Sequence, residues 1–172
     1  MFTETINKCA ATAERVVKLD RENPFGYWVA SMMAGAYVGL GIILIFTLGN
    51  LVDPALRPLV MGATFGIALT LVINAGAELY TGHTMFLTFG VKAGRISSAS
   101  AMRSGLQSWG GNLLGSLLVA WLFWQTGGGK LLPDGASLVH SAALAKTQLP
   151  VVALIAKGML CNWLVCLAIW MC

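Results

Sequence analysis

Charge is what this sequence has least of. Its 172 residues include 11 Lys and Arg and 7 Asp and Glu, so 10% of the chain is charged, where a soluble domain carries roughly 25%. That deficit excludes an ordinary water-facing globule. The net charge of +4 is too sparse and scattered for a nucleic-acid footprint, so no nucleic acid is expected as a partner. Cysteine is equally uninformative as chemistry. Cys9 and Cys172 stand alone, Cys161 and Cys166 lie five apart on different helix faces, and no CxxC pair exists, so neither zinc nor dithiol chemistry is suggested. The two histidines, His83 and His140, are far apart in the chain, and no metal site is expected. No Ser/His/Asp set, P-loop or dinucleotide fingerprint is present, and the chain is not expected to be an enzyme or to need a cofactor. The N-terminus lacks the apolar h-region of a signal peptide, and no short tandem repeat is visible.

Apolar residues fill the space that charge leaves. They make up 57% of the chain, with 20 glycines and a mean hydropathy of +0.75, which excludes disorder and leaves a polytopic membrane protein. A crossing helix needs about 20 mainly apolar residues. Four stretches qualify, at about 27–48, 59–89, 106–124 and 151–171. The second is about ten residues too long for a simple crossing, and it contains Asn74, Glu78 and the polar run Thr81-Gly82-His83-Thr84. A straight helix would leave these groups in hydrocarbon at a cost of several kcal/mol. A helix broken near 76–84, with irregular backbone enclosed by protein, accommodates both the length and the polarity.

Ahead of the spans, Phe2, Ile6, Cys9, Ala13 and Val16 recur at helical spacing among Lys8, Arg15, Lys18, Arg21 and four acids. This reads as an interfacial amphipathic helix, ended by Asn23-Pro24. Residues 1–25 therefore form a cytoplasmic N-terminal helix and 26–172 a transmembrane domain. The N-terminus carries four Lys and Arg and the 90–105 loop three, against Arg57 alone in 49–58 and Lys130 and Lys146 in 125–150. Positive charge on the inside places the N-terminus in the cytoplasm. Trp28, Trp109, Trp124 and Trp170 near span ends agree. Small residues recur every fourth position in Ser31, Gly35 and Gly39, in Gly62 and Gly66, and in Gly111 and Gly115, which predicts close helix approach.

Intramembrane polar residues mark functional candidates. Glu78 either caps the second half-helix, satisfying backbone donors freed by the break, or ligates a cation. Asn162 either bonds across to another helix or contacts a solute. Lys157, two turns into the last span, reads as a snorkelling anchor.

Two stretches carry a family resemblance. Gly76-Ala77-Glu78-Leu79-Tyr80-Thr81-Gly82 resembles one signature of the formate–nitrite transporter family, and Gly158 through Cys166, centred on Asn162-Trp163, resembles a second. The similarity covers essentially the whole chain. Ile6–Ala10, the Gly-rich first span, Thr81–Met85 and Ala145–Thr147 resemble the family's bacterial nitrite channels most. The resemblance implies an all-α, aquaporin-like protomer of six spans in the bacterial inner membrane, a homopentamer with one pore per protomer. It implies an Ω-shaped loop around Leu79–Thr84 that gates the cytoplasmic side. By residue matching, Phe65 stands at the outer constriction, and Leu69 and Leu79 form the inner slit beside Tyr80 and Val165. Thr81 and Asn162 face a central histidine of span five, Lys146 gives the outer vestibule positive potential, and Glu78 and Gly82 are structural at the break. Asn74, at a usually apolar position, and Tyr80, at a usual Phe, depart from the pattern. The Asn74 amide either bonds between helices or contacts the pore, and the Tyr80 hydroxyl needs a partner that would alter loop opening.

The implied activity is movement of small monovalent anions, nitrite first and formate second, together with protons. The alternatives are a non-conducting membrane anchor and a neutral-solute channel of the ammonia or water type. The six spans with inverted halves that the resemblance implies need about 250 residues or more, so the sequence reads as an N-terminal portion that ends after the fourth span and does not conduct alone.

Overall fold

The computed structural model describes residues 2–129, 131–132 and 136–171. Lys130 and Cys172, both used in the sequence reading, lie outside the described residues. Seven helices follow one another: α1 (Thr3–Glu22), α2 (Pro24–Leu51), α3 (Arg57–Ala75), α4 (Tyr80–Lys92), α5 (Ser98–Gln125), α6 (Ala136–Thr147) and α7 (Val151–Trp170). Among the described residues there is no strand. By length and composition, α2, α3 and α7 are apolar enough to cross a membrane. α5 is 28 residues long, about 42 Å at 1.5 Å per residue, and its polar residues Ser100, Ser104 and Ser108 are turned inward and buried.

The break in the long apolar stretch is real and short. α3 ends at Gly76, whose φ of +75° is a left-handed position that a side chain would strain. The N–H groups of Gly76 and Ala77 both return to the Val72 carbonyl. α4 then starts at Tyr80 from an extended Leu79, so Thr81–Thr84, expected inside the loop, are helical.

α2 restarts immediately after α1. Asn23 caps it by accepting from the Gly26 N–H at 2.9 Å, and Pro24, with no N–H to lose, occupies its first turn. α1 differs from the interfacial expectation. Its face of Cys9, Ala10, Ala13, Val16 and Val17 is buried, with Ala13, Val16 and Val17 in one cluster with Tyr27 and Leu87. That apolar stripe covers protein. Phe2, at the start of the same stripe, is exposed and meets the Trp170 ring. A second departure is α6, a 12-residue helix inside what reads from sequence as the 125–150 loop.

Small residues do bring α2 and α5 together. A Cβ at Gly35 would collide with the backbone carbonyl of Asn112, and one at Gly115 with that of Met32, while Gly111 faces Ser31 and the Trp28 carbonyl. Gly62 and Gly66 behave otherwise: among the described residues, a Cβ added at either would have nothing within 4 Å. α3 meets α2 through another face, where Ala68 opposes Gly41 and Met61 opposes Gly49.

Candidate functional site

A break in a membrane helix frees backbone donors and acceptors, and each needs a partner in the absence of water. Asn112 on α5 supplies most of them. Its Oδ1 accepts from the Tyr80 N–H at 2.9 Å, and its Nδ2 donates to the Glu78 carbonyl at 3.0 Å and to the Ser31 carbonyl at 2.8 Å. Ser108 Oγ gives the Glu78 carbonyl a second donor at 3.0 Å. The Glu78 N–H reaches the Ala30 carbonyl of α2 at 3.2 Å. Both sides of the gap are thus pinned to α2 and α5.

The Glu78 carboxylate therefore does no capping, contrary to one of the two readings. It is buried and holds two cationic or donor groups instead. Arg15 of α1 approaches Oε1 at 3.1 Å and His83 Nε2 approaches Oε2 at 2.7 Å. The other ring nitrogen of His83 lies 3.2 Å from Tyr27 Oη, and that hydroxyl donates to the Ser104 carbonyl at 2.9 Å. Ser104 Oγ donates to Asp20 Oδ2 at 2.8 Å, which Arg103 also approaches at 3.3 Å. One connected set of polar groups thus ties α1 at Arg15 and Asp20 to the break, α2 and α5. It escaped the sequence reading because Arg15 and Glu78 are 63 residues apart. Asn112 and Ser108 did carry a signal: each is a polar side chain inside an apolar span, the same criterion that singled out Asn162.

On its other side, the first turn of α4 meets α7. Asn162 Nδ2 donates to Thr84 Oγ1 at 2.9 Å and to Cys166 Sγ at 3.5 Å. Thr84 Oγ1 donates to the Thr81 carbonyl at 2.7 Å, and Cys166 Sγ to the same carbonyl at 3.5 Å. Thr81 and Asn162 are therefore brought together, through two intermediaries that were not candidates. Gly82 is buried against α7, where a Cβ would come within 2.8 Å of Ile169 Cδ1.

The remaining candidates are more dispersed. Leu79, Glu78, Gly82 and His83 line a cavity of about 290 Å³ together with Arg15 and Ile169. Tyr80 lines another, of about 420 Å³, between α4 and α5. Its hydroxyl makes no hydrogen bond among the described residues, so the partner its replacement of Phe called for is not found there. Phe65 and Leu69 sit four apart on α3, Phe65 exposed and Leu69 half-buried, with the Phe65 ring beside Gly41. Val165 is half-buried on α7. Lys146 is exposed at the last turn of α6, and Lys157 is exposed on α7. Asn74 neither crosses to another helix nor enters the cluster: its Nδ2 donates one turn back to the Thr70 carbonyl at 2.9 Å. Among the described residues no group of three His, Cys, Asp or Glu side chains could hold a metal ion.

Long apolar helices around a span broken at a polar turn define a multi-pass membrane protein of the channel and transporter class. Comparison with known proteins narrows the class to a family: the formate/nitrite transporter model matches residues 3–172, and the chain belongs to that family. It is 69% identical over 171 residues to the nitrite transporter NirC of Escherichia coli, covering 99% of this chain and 63% of that protein. The formate channel BtFdhC of Bacillus thuringiensis is 35% identical over 150 residues, 83% of this chain and 56% of its own length. A solved structure described as an FNT family ion channel superposes with a TM-score of 0.94 at 68% identity, covering 99% of this chain and 68% of that one. The chain thus spans about 63% of the length of the NirC relatives it matches. The family and its relatives are transporters and channels, in keeping with the absence of enzyme motifs in the sequence.

Proposed function

We propose that the protein carrying this chain moves small monovalent anions, nitrite first and formate second, across the bacterial inner membrane with proton coupling. The observation that carries this reading is the break at residues 76–79, whose next helical turn is hydrogen-bonded to Asn162 of α7 in a family whose members are named for nitrite and formate. A pure anchor subunit has no use for a span interrupted by polar groups, since every freed backbone group must then be satisfied.

The physics of the step follows from the residues. A bare anion entering a dry constriction of Phe65, Leu69, Leu79, Tyr80 and Val165 loses its hydration at a cost of many kcal/mol. The same acid passes when protonated, because the charge is gone. A cationic vestibule at Lys146 first concentrates the anion, and Thr81 and Asn162 hold the solute between the narrow points. Glu78 and Gly82 are structural at the break: the Glu78 backbone is pinned to α5 and α2, its carboxylate ties the break to Arg15 and His83, and Gly82 lets α4 lie against α7. A homopentamer with a pore in each protomer, an N-terminus in the cytoplasm and an inner-membrane location complete the proposal.

The test is flux of nitrite and formate into liposomes by the full-length protein as a function of pH. Proton coupling requires the rate at saturating nitrite to rise as pH falls; a rate indifferent to pH excludes it. Methylammonium moving while nitrite does not would assign the pore to a neutral solute. Lys146→Ala should raise the apparent KM for nitrite and leave the maximal rate in place, and an unchanged KM removes the vestibule role.

A further inference from the structure

The polar set at the break closes on one histidine, and the direction of its hydrogen bonds fixes what that ring carries. Tyr27 Oη has a single hydrogen. It lies 2.9 Å from the Ser104 carbonyl oxygen, and two oxygens approach that closely only with a hydrogen between them. His83 Nδ1, 3.2 Å from the same hydroxyl, therefore meets it as a donor. At the other end of the ring, Nε2 lies 2.7 Å from Glu78 Oε2. Arg15, 3.1 Å from Oε1, keeps that group a carboxylate, which only accepts. Both ring nitrogens thus carry hydrogens, and His83 is an imidazolium. The ring is buried beside Tyr27, the two lying 12° from parallel. Further charges reach it from α1 and α5: Asp20 holds Ser104 Oγ, and Arg103 approaches Asp20 at 3.3 Å. From α7 the same cavity receives Ile169 and no charged side chain among the described residues.

We propose that His83 is a positioning residue for Leu79 and holds it in place only as the doubly protonated ring. The inference rests on the transport reading above, which puts Leu79 in the inner slit, and deepens it. Between Glu78 and His83 lie the extended Leu79 and the first turn of α4. Asn112 and Ser108 fix the Glu78 carbonyl to α5, and the His83 N–H returns to the Leu79 carbonyl at 3.0 Å. The ring adds a crosslink over this stretch, from the Glu78 carboxylate to Tyr27 of α2. An imidazole with one hydrogen donates to one of these partners and not to both, so loss of a proton opens the crosslink at one end. Leu79 then keeps only its backbone ties, and the slit widens and admits water. Histidine is the side chain whose charge changes near neutral pH, which gives the slit a pH dependence separate from that of the solute. Sequence reasoning weighed His83 as a metal ligand and as part of the polar run; chain order does not bring it to Tyr27, 56 residues away.

The experiment uses the full-length protein in liposomes. Nitrogen NMR of histidine-labelled protein, with His83→Gln to assign the signals, counts the hydrogens on the ring, and two are expected at neutral pH. Nitrite flux is then followed across the pH at which the ring loses one of them, for wild type and for His83→Gln, whose amide does not titrate. The ratio of the two rates cancels the titration of the solute itself. Wild type should be about three- to tenfold slower than the variant below that pH, the factor that one hydrogen bond gives, and the two should converge above it. Tyr27→Phe removes the acceptor for Nδ1–H. It should leak like His83→Gln at every pH, and its ring should lose the hydrogen about one pH unit sooner, since a lost hydrogen bond weakens proton binding about tenfold. This second variant also decides the matter if the glutamine variant does not fold. A side chain that merely packed would give ratios constant with pH. The proposal is overturned if the ring carries one hydrogen at neutral pH, or if the ratio of wild type to each variant is the same at every pH. Wild-type protein that moves no nitrite at any pH overturns the transport reading, while the ring spectrum still decides whether the crosslink exists.

Discussion

Two faces of the helical array use glycine in opposite ways. Where α2 meets α5, Gly35 and Gly115 each lie against a backbone carbonyl of the other helix, and Ser31, Ser104 and Ser108 are buried alongside them. On α3, Gly62 and Gly66 have the same four-residue spacing, yet a Cβ at either meets nothing within 4 Å among the described residues, and those residues bury none of α7. The contrast teaches that small residues in register permit close approach without producing it. Approach happens where the opposing helix is also small and where polar side chains bond across the gap. Asn112 does that for α2 and α5 by donating to the Ser31 carbonyl at 2.8 Å. The α3 face turned to α2 is the one bearing Ala68 and Met61.

The sharpest way to break the contrast is to add the same side chain to both faces. Gly115→Val drives a branched side chain into the Met32 carbonyl and should cost about 3 kcal/mol or more, or prevent accumulation of folded protein. Gly62→Val enters open space and should stay within about 0.5 kcal/mol. Thermal unfolding in detergent reads both. Equal damage at the two sites would show that the Gly62 face is packed in the assembled protein, and the two faces would then be alike.

The next largest effect belongs to Asn112. Asn112→Ala strips the Tyr80 N–H and the Glu78 and Ser31 carbonyls of a shared partner. At about 1 kcal/mol for each lost bond, with some water entering the gap, a destabilisation of about 2–3 kcal/mol is expected. Asn162→Ala loses two bonds, one of them to sulfur, and should cost about 1 kcal/mol in stability while changing flux far more. If Asn162→Ala proves the more destabilising, α7 rather than α5 holds the break, and the assignment of structural and solute-facing walls reverses.

How far the sequence showed all this depends on the range of each interaction. The break was legible because a 31-residue apolar stretch containing Glu78 and Thr81–Thr84 fits neither one straight crossing nor two. Its extent was overestimated, since α4 begins at Tyr80 and takes the polar turn into the helix. The resemblance put Thr81 and Asn162 opposite a central histidine of span five and pointed to neither Thr84 nor Cys166, the residues that link them among those described. Periodicity marked the inward face of α1 at Cys9, Ala13 and Val16 but not what covers it, because a hydrophobic stripe looks the same against lipid and against Leu87. The Arg15, Glu78, His83 and Tyr27 set was invisible, as nothing in a single sequence fixes which distant charges meet.

That set supplies the third contrast, between its buried and exposed ends. The Glu78 side chain is 8% exposed and that of Arg15 62%. Glu78→Gln leaves the His83 and Arg15 donors without their anion and should cost about 2 kcal/mol, less than a fully enclosed pair because Arg15 remains hydrated. Arg15→Ala should cost well under about 1 kcal/mol, as exposed ion pairs do. Equal losses would mean that the pair is worth the same from either end and that water does not reach Arg15.

The smallest expected effect tests whether α1 is docked on protein, as its buried face requires. Cys9 is buried, and burial pushes its thiol above the ordinary thiol value. Only the thiolate attacks an alkylating reagent, so at any given pH a raised value leaves less of the reactive form. Labelling of Cys9 in folded protein should therefore be slower than in denatured protein at pH 8, and the gap should narrow as pH rises and both forms ionise. Arg15→Ala removes the side chain that joins α1 to Glu78 at 3.1 Å, which should increase labelling modestly, by about two- to fivefold, the factor that a weakened contact of 0.4–1 kcal/mol gives at RT of about 0.59 kcal/mol. Folded protein whose Cys9 labels as fast as in denaturant would place the Cys9–Val17 face against lipid or water, and the buried polar set would lose its anchor on α1.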